Sequence, residues 1–268
     1  MTVELLELKS NSIFATKAGF GQLLAPIRKP PQQDRSRKAT EALLRAALKG
    51  IEARGIETLS MVEVAADAGS SIGSLYFRFG DKSRLVDAAL ALALGELRQR
   101  ALALLAKAED RKWPARRIVR EWLSLFVDNV RARRTLLREL IRHTAARPKV
   151  WHPIREMRGA LDERLMTTLR ASLGRTHDTA WEVRFRIGLQ TVAACLLHMV
   201  IIDLGPMRID DAALKTTLYE IFLSFVDIPE NRAGHSRGEI KRPSSGRRLR
   251  LGAGERVARM PPMIDRAR

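Results

Sequence analysis

Cysteine is almost absent from this chain: 268 residues contain one, Cys195. A single thiol excludes an internal disulfide and suits a reducing compartment. Aromatic residues are scarce at 5%, while alanine, leucine and arginine dominate, a balance that favours helices over sheets. No uninterrupted run of about 18 apolar residues appears, so no membrane span is expected. The first residues lack the basic start, apolar core and small-residue cleavage site of a signal peptide. A cytoplasmic protein with no membrane partner is the expectation.

The hallmarks of catalysis are also missing. There is no nucleophile elbow, no phosphate loop and no Ser/His/Asp set with supporting context. Cys195 and His198 stand three apart, yet no further ligand lies at metal spacing from them. The chain is expected to be no enzyme and to carry no cofactor and no metal.

Acidic residues are outnumbered, 30 against 48 Lys and Arg, for a net charge of +18. Such an excess suits a polyanionic partner. Residues 34–82 nevertheless hold 8 basic against 7 acidic side chains, and residues 229–268 hold 11 against 4. The motif described next therefore carries the nucleic-acid reading, with net charge adding little.

That motif is Ser60–Lys82, SMVEVAADAGSSIGSLYFRFGDK. Ser60 is a good N-cap, and Glu63 three residues on has capping-box spacing. Met61, Val64, Ala65 and Ala68 recur at helical spacing. Gly69 supplies a left-handed stop. Ser70 or Ser71 then caps a second helix of about two turns, ending at Tyr76 or Phe77. Small residues at Ala65 and Gly73 let the two helices cross closely, and Val64, Leu75 and Phe79 face one core. A capped helix, a glycine turn and a short second helix make a helix-turn-helix, whose second helix enters the DNA major groove.

Gly73-Ser74-Leu75-Tyr76, then Phe79-Gly80-Asp81-Lys82 and Leu85, resemble the signature of the TetR family of bacterial transcriptional regulators. Gly55 through Ala65 and Gly69 fit the first two helices of the same family, so the resemblance runs over about fifty residues. Two positions depart from it. Ile72 stands where relatives often carry Lys or Arg, and Leu59 where they often carry Thr.

The expected fold is all-α: an N-terminal three-helix helix-turn-helix domain followed by a helical ligand-binding and dimerisation domain. Residues 1–33 read as a flexible leader, 34–82 as the DNA-binding domain, 83–228 as the effector-binding and dimerisation domain, and 229–268 as a basic disordered tail. The first helix is placed at Lys38–Arg54 and a long fourth helix is capped by Asp81. Five more helices are expected: Pro114–Arg133, Thr135–Arg147, Ile154–Leu173, Asp178–Leu204 and one capped by Asp210 through Val226. Pro148 and Pro153 bracket a loop that holds Trp151.

For double-stranded DNA, base reading is expected from Ser71, Ile72, Ser74 and Phe77, with Arg78 nearby; Ser donates or accepts, and Ile72 suits a thymine methyl. Ser60 at the first helix start joins this contact set. Tyr76 resembles the family's phosphate-binding tyrosine. Lys82, in the first turn of a helix, suits a phosphate by charge and by the free N–H groups around it. Arg35 and Arg37, with Lys38, are either a basic arm for phosphates and the minor groove or an ordinary exposed linker.

One two-turn helix reads little sequence, so a homodimer on a palindromic operator is expected, with half-sites about 34–36 Å apart. Residues 178–204 and 210–226 are its natural surface, and in the family the equivalent pair forms a four-helix bundle. The resemblance also implies a small-molecule effector that releases a repressor from its operator by moving the fourth helix. Trp122, Phe126, Met157, Met166, Phe185 and Met199 are candidate walls of an effector cavity, with His143 and His198 as polar groups; the same spacing also describes plain core. The Arg131–Arg142 cluster suits an anionic effector or a solvated face. An effector-independent architectural DNA binder using the basic tail is the alternative.

Overall fold

In the computed structural model, residues 34–145, 151–174 and 178–230 are described. The expected leader and the tail from residue 231 onward lie outside them. All regular structure among the described residues is helical: α1 Asp34–Arg54, α2 Met61–Asp67, α3 Ile72–Phe79, α4 Lys82–Asp110, α5 Ala115–Ala132, α6 Arg134–Ala145, α7 Trp151–Leu173, α8 Thr179–Ile201 and α9 Leu214–Phe225.

Side chains that bond their own backbone set several starts. Ser60, Ser71, Asp81 and Asp178 each accept a bond from the backbone N–H three residues on, which satisfies a donor the helix leaves open. Gly69 and Gly80 have φ of +60° and +81°, a conformation L-residues with a Cβ rarely adopt, so α2 and α3 stop there.

Several expected bounds shift, and α3 runs on to Phe79 instead of ending at Tyr76 or Phe77. The first helix begins at Asp34, so Arg35, Arg37 and Lys38 lie within its first turns and not in an arm before it. The segment around Trp151 is helical from that residue, with Pro153 in the first turn, where a missing N–H costs no helical bond. The eighth helix ends at Ile201, and Asp203 follows in a left-handed conformation. Asp210 caps nothing. Instead the Asp211 carboxylate accepts the Arg208 N–H at 2.7 Å, closing a turn that delays α9 to Leu214.

Two apolar cores result. The first gathers Leu43, Leu44, Ala47 and Ile51 of α1, Val64 and Ala65 of α2, Leu75 and Phe79 of α3, Leu85, Val86, Ala89, Leu90 and Leu92 of α4, and Leu136 and Leu140 of α6. The second gathers the far half of α4, Trp113, and the inner faces of α5, α7, α8 and α9. Each fully buried Leu or Phe contributes roughly 1.5–3 kcal/mol. Helix α4 belongs to both cores. It is buried on every side from Leu85 to Leu90, then on a single stripe through Leu97, Ala101, Leu105 and Ala108.

Helices α8 and α9 cross closely at Gly188, where an added Cβ would lie 3.2 Å from both Phe222 and Phe225. By length and composition α8 is apolar enough to cross a membrane, a test that a core helix also passes. Its Trp181, Phe185, Leu189, Val192 and Leu196 are buried in the second core.

Candidate nucleic-acid interface

The Gly55–Leu59 loop delivers the chain from α1 to the cap of α2. Gly55 turns it at φ +86°, and Leu59, 3% exposed, anchors it below Gly50. Ser60 Oγ accepts the Glu63 N–H at 3.4 Å. The reciprocal half of the expected capping box is absent, because the Glu63 carboxylate pairs with Arg54. After α2, the Ser70 N–H donates to the Ala65 carbonyl at 2.9 Å and closes the glycine turn. Ser71 Oγ then accepts the Ser74 N–H at 3.1 Å and starts α3.

Leu75 and Phe79 are fully buried under α3. This fixes which side of the helix faces outward: Ser71, Ile72, Gly73, Tyr76 and Phe77 are exposed. Tyr76 is 47% and Phe77 56% exposed. Val62 of α2, 66% exposed, is a further outward apolar side chain that sequence reasoning missed. Its signal was available, since Val62 falls off the Met61–Val64–Ala65–Ala68 stripe. Gly73 was expected to ease the crossing of the two helices, yet a Cβ there would meet nothing within 4 Å. Its smallness leaves the outer surface of α3 low and not its inner one.

Ser74 and Arg78, both expected near base edges, are bonded to one another within the protein. The Arg78 guanidinium folds back onto the Ser74 hydroxyl, donates to the Ser74 carbonyl at 3.1 Å, and reaches the buried Thr40 hydroxyl at 3.2 Å. It fastens α3 to α1. Lys82 Nζ donates to the Glu57 carbonyl at 2.7 Å, which joins the start of α4 to the loop before α2. Arg37 is half-buried on α1, and the Arg35 side chain lies outside the described residues.

The eight candidate effector residues are not brought together. Trp122, Met157, Met166 and Phe185 are buried in the second core and Phe126 is packed against it. Trp122 stands 5.0 Å from Phe126, and Phe185 meets Phe222 edge-on at 5.7 Å. His143 bonds the buried Asp87 carboxylate at 2.9 Å. His198 and Met199 border a groove of about 700 Å³ between α8, α9 and their connection. Its other walls include Ile187, Thr191, Cys195, Met207, Leu218 and Ile221.

Four arginines of the cluster are engaged within the protein, whereas the Arg142 side chain is 61% exposed. Arg131 donates to the carbonyls of Ile209 and Asp211 at 2.8 and 2.7 Å. Arg133 pairs with Glu96 at 2.7 Å and Arg134 with Asp203 at 2.9 Å. Arg138 donates twice to the Val200 carbonyl. Periodicity cannot reveal such long-range acceptors, because most are backbone carbonyls.

Residues 43–89 match the sequence profile of bacterial regulatory proteins of the tetR family. No curated protein matches the chain. Among solved structures, a TetR-family transcriptional regulator from Mesorhizobium loti is 17% identical, covers 72% of this chain and 97% of its own, and superposes with a TM-score of 0.56. A tetR-family regulator from Streptomyces coelicolor is 21% identical over 69% of this chain and 81% of its own, with a TM-score of 0.52. The Bacillus subtilis regulator FadR, solved with stearoyl-CoA, is 15% identical over 70% and 99%, with a TM-score of 0.50. The N-terminal unit is thus a TetR-type helix-turn-helix, and the fold is that of these regulators.

Proposed function

We propose that this chain is a sequence-specific DNA-binding transcriptional regulator, a homodimer that acts in the cytoplasm as a repressor. The observation that carries the reading is α3, capped by Ser71 and presenting Ile72, Tyr76 and Phe77 outward on a helix whose other side is locked by Leu75, Phe79 and Arg78. Ile72 and Phe77 supply apolar contact with base edges, where a thymine methyl is the natural partner. Tyr76 and Lys82 supply phosphate contacts that fix the register of the helix. The Arg35 and Arg37 side of α1 and the cap at Ser60 extend the phosphate footprint.

A second copy is proposed to pack on α8 and α9. Val183, Ile187, Leu197 and Ile201 of α8 are each about half exposed, an apolar row that a lone soluble chain leaves open only at a cost. The groove that includes His198 and Met199 opens on the same face. It offers an effector apolar walls with a few polar groups, the make-up of small-molecule sites. An effector there would alter the angle between two subunits and hence the spacing of their α3 helices. A coupling of about 1–3 kcal/mol would change operator affinity roughly 5–150-fold.

Selection of bound fragments from random DNA with the purified protein tests this. The expected product is a palindrome with half-sites about one helical turn, 34–36 Å, apart. Recovery of fragments without any common sequence would overturn it in favour of an architectural binder.

A further inference from the structure

Glu139 is an acidic residue 7% exposed, which is rare unless the carboxylate is fully engaged. It sits on α6, more than eighty residues from the helix-turn-helix loop in sequence, yet its carboxylate accepts the Ile56 N–H at 3.0 Å. Arg142, one turn along, pairs with the same carboxylate at 3.2 Å. The fit is close on the loop side: a Cβ at Gly55 would lie 3.4 Å from the Glu139 carboxylate. Leu136 and Leu140 flank it and are buried in the N-terminal core.

The residues after Ile56 carry this hold onward. The Glu57 carbonyl receives Lys82 Nζ, Leu59 is buried, and Ser60 caps α2. A shift of Ile56 would therefore reach the cap of α2, the helix that braces α3, while Lys82 keeps its place and its charge in the first turn of α4. On the neighbouring face of α6, Arg138 is fastened to the Val200 carbonyl near the end of α8, and Arg134 to Asp203 just beyond it.

We propose that Glu139 is a positioning residue for DNA reading: it clamps the Gly55–Leu59 loop through the Ile56 N–H and makes operator affinity depend on where α6 stands. This rests on the proposed function above. Removing a buried charged acceptor leaves the Ile56 donor unsatisfied and frees the loop, while the phosphate-contacting side chains remain in place. Sequence preference should fall more than general DNA affinity.

The test compares the unaltered protein with Glu139→Ala, Glu139→Asp and Glu139→Gln, on a fragment selected by the unaltered protein and on a scrambled fragment. Binding is read by fluorescence anisotropy, and exchange of the Ile56 amide by hydrogen–deuterium mass spectrometry. Glu139→Ala is expected to weaken the selected fragment about 10-fold, to leave the scrambled one nearly unchanged, and to speed exchange at Ile56. Glu139→Asp is one methylene short of the loop and is expected to act alike with less loss of packing, so it serves if the alanine variant does not fold. Glu139→Gln keeps an acceptor oxygen and is expected to restore both readouts. Unchanged preference in Glu139→Asp, equal loss on both fragments, or failure of Glu139→Gln to restore would each overturn the proposal. Should the unaltered protein select no sequence at all, the DNA-reading function itself fails, which is a separate result.

Discussion

The ammonium of Lys82 lies 2.7 Å from the carbonyl oxygen of Glu57, so the first residue of α4 is tied to the loop that precedes α2. An ammonium has three N–H donors, and this bond leaves others for a DNA phosphate. Lys82→Ala removes both the tether and one neutralised phosphate. We expect weaker binding on every sequence and a plot of log affinity against log salt that is flatter by about 1 per subunit. Titrations at several salt concentrations measure it; an unchanged slope would remove Lys82 from the contact set.

The apolar row on α8 makes a sharper claim about assembly. Ile187 and Leu197 are each 45% exposed, and a carboxylate at either would be buried without a partner in a packed interface. Ile187→Glu and Leu197→Glu are expected to shift the protein from dimer to monomer in sedimentation equilibrium, while circular dichroism stays helical. A variant that remains dimeric would place the second copy elsewhere.

Gly188 predicts a stability change far from any DNA contact. A methyl group there would press on Phe222 and Phe225 at 3.2 Å, and Phe222 is fully buried. Overpacking of this kind costs about 1–3 kcal/mol. Gly188→Ala should lower the urea midpoint accordingly without altering the slope of the transition.

Asp162 supplies a pH dependence. Burial pushes its carboxyl above the ordinary value of 3.8, and Arg158 beside it only partly offsets this. A raised carboxyl means that the folded state disfavours the anion. The penalty is complete above the folded value and vanishes below the unfolded one. Asp162→Asn is therefore expected to raise the melting temperature at pH 7, with the gain shrinking as pH falls toward 4. A gain that is independent of pH would assign the effect to packing instead.

Much of the N-terminal unit was legible because its signals are local. Ser71, Asp81 and Gly69 act within three or four residues of themselves, and each ends or begins a helix as its chemistry implies. The exposed face of α3 followed from the buried spacing of Leu75 and Phe79. Asp210 misled because Asp211 next to it captures the Arg208 N–H and makes a turn of its own. Arg78 and Lys82 read as surface cations, whereas their acceptors, Thr40 and Glu57, lie 38 and 25 residues away. For the candidate effector residues the sequence left two readings open, because Met and aromatic side chains at helical spacing look alike whether they line a space or fill it. Glu139 was invisible for the same cause as Arg78, since nothing near it in the chain marks it as buried.

Helix α4 runs without a break through 29 residues from one apolar core into the other. At 1.5 Å per residue it is about 43 Å long, so a tilt of only about 5° about one end sweeps the opposite end through nearly 4 Å, more than half the rise of a helical turn. Geometry of that kind turns a displacement too small to open a cavity into one large enough to take a recognition helix out of register with its half-site.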